Sequence, residues 1–385
     1  MSVSTKEFLD LREYIRASKE LTSWIMGAKV FALIRGAIDS GVMDALRTRR
    51  SAQQIADITK VDMQVVVDMC LALQVHGVVQ QAGEYYELTP DFALLSSPTA
   101  AIPLPTLVHY AGVMLRTLQT VGPADVTYTA ATAEDILAMA EGSGVSALSS
   151  SPHVGQESIA QLMPEVEALW LTGARHLEVG CGIGNSLFGT ATTYPGVTAV
   201  GIEINENTAA ETERRAHVLG VTDRVEVRNM DACELQDEGT FDTIQWSQFF
   251  FPTTTRPIVL KAMHRALKPG GYLFMPWMGS ATDDLKPSRL QKLRIALRAL
   301  RSGSASYLGY INDILGDTAR RRKKERRSAA LNRLLFTQWG VPARTVRELE
   351  SEIASSGFSV IRSMHTPVSQ FVLTRGLLLA QKENA

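Results

Sequence analysis

The sequence predicts an α/β protein: a doubly wound, mostly parallel sheet with a mainly helical domain in front of it. Three observations carry that expectation. From about residue 173 onward, short apolar runs alternate with helix-patterned stretches, the order that builds a parallel sheet covered on both faces. The first of those runs ends in a glycine-rich turn, His176-Leu-Glu-Val-Gly-Cys-Gly-Ile-Gly-Asn185. Ahead of it, residues 1–100 read as helix, short helix, second helix and hairpin, the order of a winged helix.

Composition and charge narrow the function classes. The chain has 385 residues, 45% hydrophobic and 21% charged, which is enough for two cores. A formal net charge of −1 gives no global attraction to nucleic acid or to an anionic membrane surface. Cys70, Cys181 and Cys233 form no Cys-x-x-Cys pair, which fits reduced thiols without a disulfide framework or zinc site. No metal is therefore expected. Met1–Arg16 carries mixed charge without the apolar core of a signal peptide, and the apolar stretch Leu21–Ile38 is broken by Lys29 and Arg35. The expectation is a cytoplasmic protein with no membrane span.

In chain order, apolar residues recur at helical spacing from Glu7 to Ala45, with Gly41 breaking the pattern. Ser51 followed by Gln54 is a capping box that opens a short helix over Ala52–Ile58. A second helix is expected from Asp62 to Val75, stopped by Gly77, and then a small hairpin from Val78 to Leu88. A winged helix on DNA needs cations on its second helix, yet Val61–Val75 contains no Lys or Arg and carries Asp62 and Asp68. Its Val65, Val66, Met69, Leu71 and Leu73 suit packing against a partner. Residues 1–100 are accordingly read as a winged-helix-like dimerisation domain.

Residues 101–172 are read as a helical linker lining a substrate pocket. Helices are expected over Leu107–Thr120, Ala133–Met139 and Glu157–Leu171. His109, Tyr110 and His153 are its pocket candidates, although each also fits an ordinary packing or surface position. From 173 to 385 strands are expected at Leu177–Val179, Ala199–Glu203, Val225–Asp231, Phe241–Trp246 and Tyr272–Met275. Helices over Thr208–Leu219 and Arg256–Leu267 separate them, and Phe358–Ile361 and Phe371–Thr374 are read as the closing strands.

The glycine turn and the strand ends carry the chemistry. Gly180, Gly182 and Gly184 let backbone approach a ligand, and a helix starting at Asn185 points free N–H groups at the same spot. The spacing is G-x-G-x-G, unlike the G-x-G-x-x-G of a dinucleotide fold. Glu178, two residues before the first glycine, suits a ligand ammonium better than a pyrophosphate. Glu203, about twenty residues on, can accept from both ribose hydroxyls, and Asp231 from an adenine amino group. Gln245 falls at a further strand end. A nucleoside bearing positive charge fits this set, and S-adenosylmethionine is one.

With those residues in hand, the chain from Leu21 to Lys382 resembles the class I S-adenosylmethionine-dependent methyltransferases. More narrowly, it resembles the small-molecule O-methyltransferases that carry an N-terminal winged-helix dimerisation domain. The resemblance implies a Rossmann-like domain, a homodimer and a small secondary-metabolite acceptor of the kind found in antibiotic biosynthesis. It implies that Glu178, Gly180, Gly182, Gly184 and Asn185 face the methionine part and Glu203 with Ile204 the ribose side. Asp231, Ala232 and Gln245 complete the implied cofactor set. Lys268-Pro269-Gly270-Gly271 matches the family's turn before the fifth strand.

The family's general-base His falls where this chain has Phe249-Phe250-Phe251, and phenylalanine takes no proton. Losing a general base costs roughly 10²–10⁴ in rate for an unactivated hydroxyl. N-, C- or S-methylation, or an acidic hydroxyl, is favoured. Phe249 and Phe250 are read as substrate-pocket residues able to hold a cation on their faces. His365 and His153 are the candidate bases. The alternative keeps the cofactor for aminocarboxypropyl transfer, cyclisation or elimination, and a third reading is a cofactor-sensing DNA-binding regulator. The segment 279–340 is a strongly basic helical insertion, ending near Arg320-Arg-Arg-Lys-Lys-Glu-Arg-Arg327. It fits a solvated helix face, a lid for an anionic substrate or a dock for an acidic carrier protein, and not a nucleic-acid site.

Overall fold

The computed structural model describes residues 5–119, 132–150, 152, 156, 159–160, 162–277, 327, 330–341, 344–365 and 376–383. The chain divides into two compact units, Met1–Ala111 and Gly112–Ala385.

In the first unit, helix α1 spans Thr5–Asp39 and α2 spans Val42–Ala45, with Gly41 between them at φ 77°. Strand β1 is Arg50–Ser51, α3 is Ala52–Thr59 and α4 is Met63–Val75. The capping box forms as read: Gln54 N–H donates to Ser51 Oγ at 3.3 Å, and Ser51 N–H to Gln54 Oε1 at 2.9 Å. Asp62 caps α4 by accepting from Gln64 N–H and Val65 N–H. Strands β2 (Val79–Ala82) and β3 (Tyr85–Leu88) form the hairpin, and β1 adds to it in the order β1-β3-β2. The two-residue β1 is too short to leave a period in the sequence. Helix α5 (Pro90–Leu95) follows, and α6 (Leu104–Gln119) runs past the unit boundary. Val66, Cys70 and Leu73 of α4 pack with Ile55, Leu46, Val79 and Leu88 in the core. Within α1, Arg12–Asp39 is 28 residues long and, by length and composition alone, apolar enough to cross a membrane.

The second unit contains α7 (Ala133–Gly142) and α8 (Pro164–Leu171) ahead of the sheet. The continuous helix expected over Glu157–Leu171 is interrupted. Met163 leaves the helical region at φ −133°, ψ 67°, and Pro164 opens α8. Proline has no N–H to continue a helix and disfavours helical backbone in the residue before it.

The sheet alternates as expected. Strand β4 (Arg175–Val179) leads to α9 (Asn185–Thr193), β5 (Thr198–Glu203) to α10 (Glu206–Leu219), then β6 (Val225–Asn229). Next come β7 (Phe241–Trp246), α11 (Arg256–Ala266) and β8 (Leu267–Trp277). Helix α12 (Val346–Ser355) and strands β9 (Phe358–His365) and β10 (Gly376–Lys382) close it. The seven strands lie in the order β6-β5-β4-β7-β8-β10-β9, with β4, β5, β6, β7 and β8 parallel and β10 antiparallel to both neighbours. Strand order reverses between the neighbours β4 and β7, so the crevice at that point is the binding position of a doubly wound sheet.

One strand reading changes. The fifth parallel strand begins at Leu267 instead of Tyr272, with Lys268-Pro269-Gly270-Gly271 inside it as a register irregularity and Gly270 at φ 73°. Phe371–Thr374 lies outside the described residues, and the last strand is Gly376–Lys382. Its Leu377-Leu-Leu-Ala380 run is buried between two strands, the pattern of an interior strand that shows no alternation. Glycine is required at its start, since a Cβ on Gly376 would fall 2.1 Å from the Met364 carbonyl oxygen.

Large aromatic residues fill the sheet's helix-covered faces. Thr243 Oγ1 accepts from the Trp170 indole N–H at 3.1 Å and lies 2.9 Å from His176 Nδ1. Burial pushes that histidine down to about 3, so it stays uncharged in the fold.

Candidate functional site

The glycine turn connects β4 to α9 with Gly180, Gly182 and Gly184 at φ 74°, 56° and 76°. These left-handed values favour glycine, and space adds to the requirement. A Cβ on Gly184 would lie 2.4 Å from the Phe188 ring and 2.9 Å from Thr212. Backbone and side chains hold the turn from both sides. Gly182 N–H donates to Glu203 Oε2 at 3.0 Å, and the Thr212 hydroxyl donates to Gly182 O at 2.6 Å.

Three of the expected cofactor side chains, Glu178, Gln245 and Glu203, meet around this turn. Glu178 is 3% exposed on β4, and its Oε2 has no hydrogen-bond partner among the described residues. Its Oε1 lies 3.4 Å from Gln245 Nε2 on the neighbouring strand β7. Gln245 is in turn oriented by Ser186 Oγ, which donates to its Oε1 at 2.9 Å. Burial pushes the Glu178 carboxyl up to about 8; the Leu187 N–H opposes the shift and the Glu203 charge adds to it. Glu203, the last residue of β5, also titrates above its ordinary range because it is buried, although Asn205 N–H (2.9 Å) and Gly182 N–H favour its charge. Each Glu203 oxygen thus binds one backbone donor and keeps a lone pair free.

The remaining expected positions sit along the carboxyl edge of the sheet. Ile204 follows Glu203 and is 68% exposed, an apolar platform beside the carboxylate. Asn229 Nδ2 donates to the Glu203 and Ile204 carbonyls at 3.0 and 3.2 Å, which fixes that strand end. Asp231 caps the 3-10 turn Ala232–Glu234, accepting from Cys233 N–H at 2.8 Å, and Ala232 is buried. Asn185 is the first residue of α9; its Oδ1 accepts from Ala147 N–H at 3.3 Å, while Nδ2 is buried with no partner among the described residues.

The aromatic segment after β7 forms a 3-10 turn over Gln248–Phe250. Phe251 packs on Trp246 at 5.5 Å, and a Cβ on Gly180 would come within 3.1 Å of the Phe251 ring. Phe249 meets Phe336 at 6.2 Å, and Phe336 meets Trp339 at 5.4 Å. Arg256, fully buried, fixes this segment. It lies 4.5 Å over Trp246, donates to the Gln248 carbonyl at 2.8 Å and forks onto Glu352 at 2.9 and 2.6 Å. Phe250 shares this turn.

His109 and Tyr110 lie on α6 within the first unit, His109 3.6 Å from Asp39 and Tyr110 buried. His365 ends β9, level through Gly376 of β10 with Trp277 of β8, and so at the carboxyl edge two strands from β8. His153 lies outside the described residues, as does most of the basic insertion 279–340. Sequence reading missed Ser186, Thr212, Arg215, Arg256, Phe336 and Trp339. Each reaches the site through a contact far away in sequence, which leaves no local pattern.

The residues present fit S-adenosylmethionine on their own chemistry. An unpartnered buried carboxylate oxygen at Glu178 suits an ammonium, and an unpartnered buried amide N–H at Asn185 suits a carboxylate. Glu203 and the exposed Ile204 offer an acceptor and an apolar face for a nucleoside.

Comparison with known proteins agrees with that geometry. Residues 177–271 match the family model described as a methyltransferase domain. A ubiquinone biosynthesis O-methyltransferase of Pseudomonas aeruginosa (strain LESB58) is 30% identical over 111 residues, 28% of this chain and 46% of its own. The chain thus aligns with about half the length of the curated relatives it matches. Human N-acetylserotonin methyltransferase, solved in complex with SAM, superposes with TM-score 0.64 at 13% identity over 96% of this chain and 98% of its own. PigF, solved with SAH, gives TM-score 0.61 at 17% identity over 94% and 99%. Residues 177–271 are therefore similar to a methyltransferase domain, and the chain shares its fold with solved methyltransferases.

Proposed function

We propose that this protein is an S-adenosylmethionine-dependent methyltransferase acting on a small-molecule acceptor. The observation that carries the reading is the glycine turn with two carboxylates beside it, Glu178 buried and Glu203 half-buried, the first holding an oxygen without a partner. When bound, the cofactor supplies an electrophilic methyl on a sulfonium. Glu178 and Asn185 would bind the amino-acid end, Glu203 the ribose and Asp231 the adenine. Phe249 and Phe251 would exclude water on the acceptor side and steady a cation through their faces. The work of the protein is positioning.

Within that reading the acceptor is a nitrogen, carbon, sulfur or acidic hydroxyl. The segment Ser247–Phe251 contains no side chain able to take a proton near neutral pH. His365 is the proposed base where one is needed, since β9 ends at the sheet's carboxyl edge. The same base-free segment supports one alternative, attack on the aminocarboxypropyl arm. The test is the nucleoside left after incubation with cofactor and a cell extract. S-adenosylhomocysteine is the expected product, and accumulation of methylthioadenosine instead would replace methyl transfer with the alternative.

A homodimer is part of the same proposal. Helix α1 exposes Leu21, Trp24, Ile25 and Met26, each about half exposed, on an apolar face that a second copy would cover. Light scattering on the purified chain is expected to give twice the monomer mass, and a monomer at micromolar concentration rules the dimer out.

A further inference from the structure

The protein treats the two ends of the Asn185 amide differently. The oxygen is held twice, by Ala147 N–H at 3.3 Å and by Arg215 Nη1 at 3.4 Å. The nitrogen is buried and meets no acceptor among the described residues. The two ends of an amide are nearly equal in size, so hydrogen bonding decides the flip. Turning this amide over would set its N–H groups against the guanidinium and the Ala147 N–H, three donors facing each other without an acceptor.

Arg215 is built for that task and for no free charge of its own. It projects from α10 with 8% of its side chain exposed. Its Nε pairs with Glu211 at 2.6 Å and its Nη2 with Glu141 at 3.3 Å on α7. Two carboxylates offset its charge, so it is not an anion site itself. Their pull fixes the guanidinium between α7 and α10, with Nη1 left for Asn185. Helix α7 also stands over the turn, since a Cβ on Gly182 would meet Ala140 at 3.6 Å.

We infer that Arg215 is a positioning residue: it fixes the flip of the Asn185 amide so that its N–H groups stay free to receive the carboxylate of the cofactor's amino-acid end. The inference rests on the proposed cofactor. A buried donor without a partner is costly, and a ligand carboxylate restores the bond in its stronger, charge-assisted form. Glu178 Oε2 is the complementary acceptor before the same turn. An ammonium and a carboxylate on one carbon need one acceptor and one donor, and the turn offers both.

Two probes separate this role from general support of the fold. S-adenosylhomocysteine carries the amino-acid end, and 5′-methylthioadenosine carries the same thioether nucleoside without it. Titration calorimetry on the full chain is expected to show Arg215→Met binding S-adenosylhomocysteine roughly tenfold more weakly, with methylthioadenosine unchanged. Asn185→Asp keeps the acceptor that Arg215 and Ala147 use and deletes the donors, so it should show at least the same selective loss without breaking the ion pairs. Equal losses for both ligands, or no loss of S-adenosylhomocysteine in either variant, overturn the inference. Failure of the parent chain to bind either ligand overturns the cofactor reading beneath it.

Discussion

A Glu203→Ala variant is expected to bind S-adenosylhomocysteine about 10²–10⁴-fold more weakly than the parent chain. The magnitude follows from two roles in one carboxylate. Its oxygens accept from Gly182 N–H at 3.0 Å and Asn205 N–H at 2.9 Å, so the side chain fixes the glycine turn. In the proposed site the remaining lone pairs accept from the ribose hydroxyls, and each such bond to a charged acceptor contributes about 1.5–3 kcal/mol. Alanine removes both roles, and Glu203→Gln should fall between, since its oxygen can still accept from one partner. Methylthioadenosine should lose affinity with Glu203→Ala as well, because the loss is at the nucleoside. Calorimetry with both ligands checks this, and a loss below about fivefold would remove Glu203 from the ribose site.

The second large effect is on pH. Burial raises the Glu178 carboxyl to about 8 in the free protein, so at neutral pH it is mostly protonated. A ligand ammonium favours the carboxylate, so binding below pH 8 must release the proton. Affinity should rise by up to about tenfold per pH unit between pH 6 and 8 and level off above. The effect on stability has the opposite sign. Between the ordinary value near 4.5 and about 8 the folded state holds more protons than the unfolded, so the unliganded protein loses stability as pH rises through that window. Calorimetry at pH 7 in two buffers of different ionisation enthalpy should report release of close to one proton per S-adenosylhomocysteine bound. In Glu178→Gln the release should vanish and the affinity should become flat with pH. Binding without proton release in the parent chain would contradict an ammonium contact at Glu178.

Arg256 shows why the aromatic segment is more than a filled gap. Replacing a buried ion pair by apolar residues is often neutral or stabilising, so the Arg256–Glu352 fork is a weak source of stability. What it supplies is geometry. The guanidinium has donors enough for both Glu352 oxygens and the Gln248 carbonyl while lying over Trp246, and an ammonium could not do all of this at once. The segment that lacks a base is therefore held in one arrangement against the cofactor turn.

Much of the fold could be read from the chain because its causes are local. Gly180, Gly182 and Gly184 mark a turn whose φ values no side chain tolerates well, and the alternation of apolar strand and amphipathic helix dictates a parallel sheet. Ser51 with Gln54 and Asp62 with Gln64 are caps made within one turn of helix. Readings failed where a local signal was weak or absent. The two-residue β1 has no period, the buried run of β10 does not alternate, and Met163 leaves the helix because Pro164 follows it.

The sequence by itself determined the sheet, the glycine turn and the carboxylates at successive strand ends, since each depends on residues within a few positions of one another. Tertiary structure alone decided what those groups can do. Ser186 reaches Gln245 and Gln245 reaches Glu178 only because β4 and β7 are neighbours, and Arg215 meets Asn185 and Glu141 only because α7, α9 and α10 converge on the turn. Burial, which raises Glu178 and strands its second oxygen, belongs to the packed whole and to no stretch of the chain.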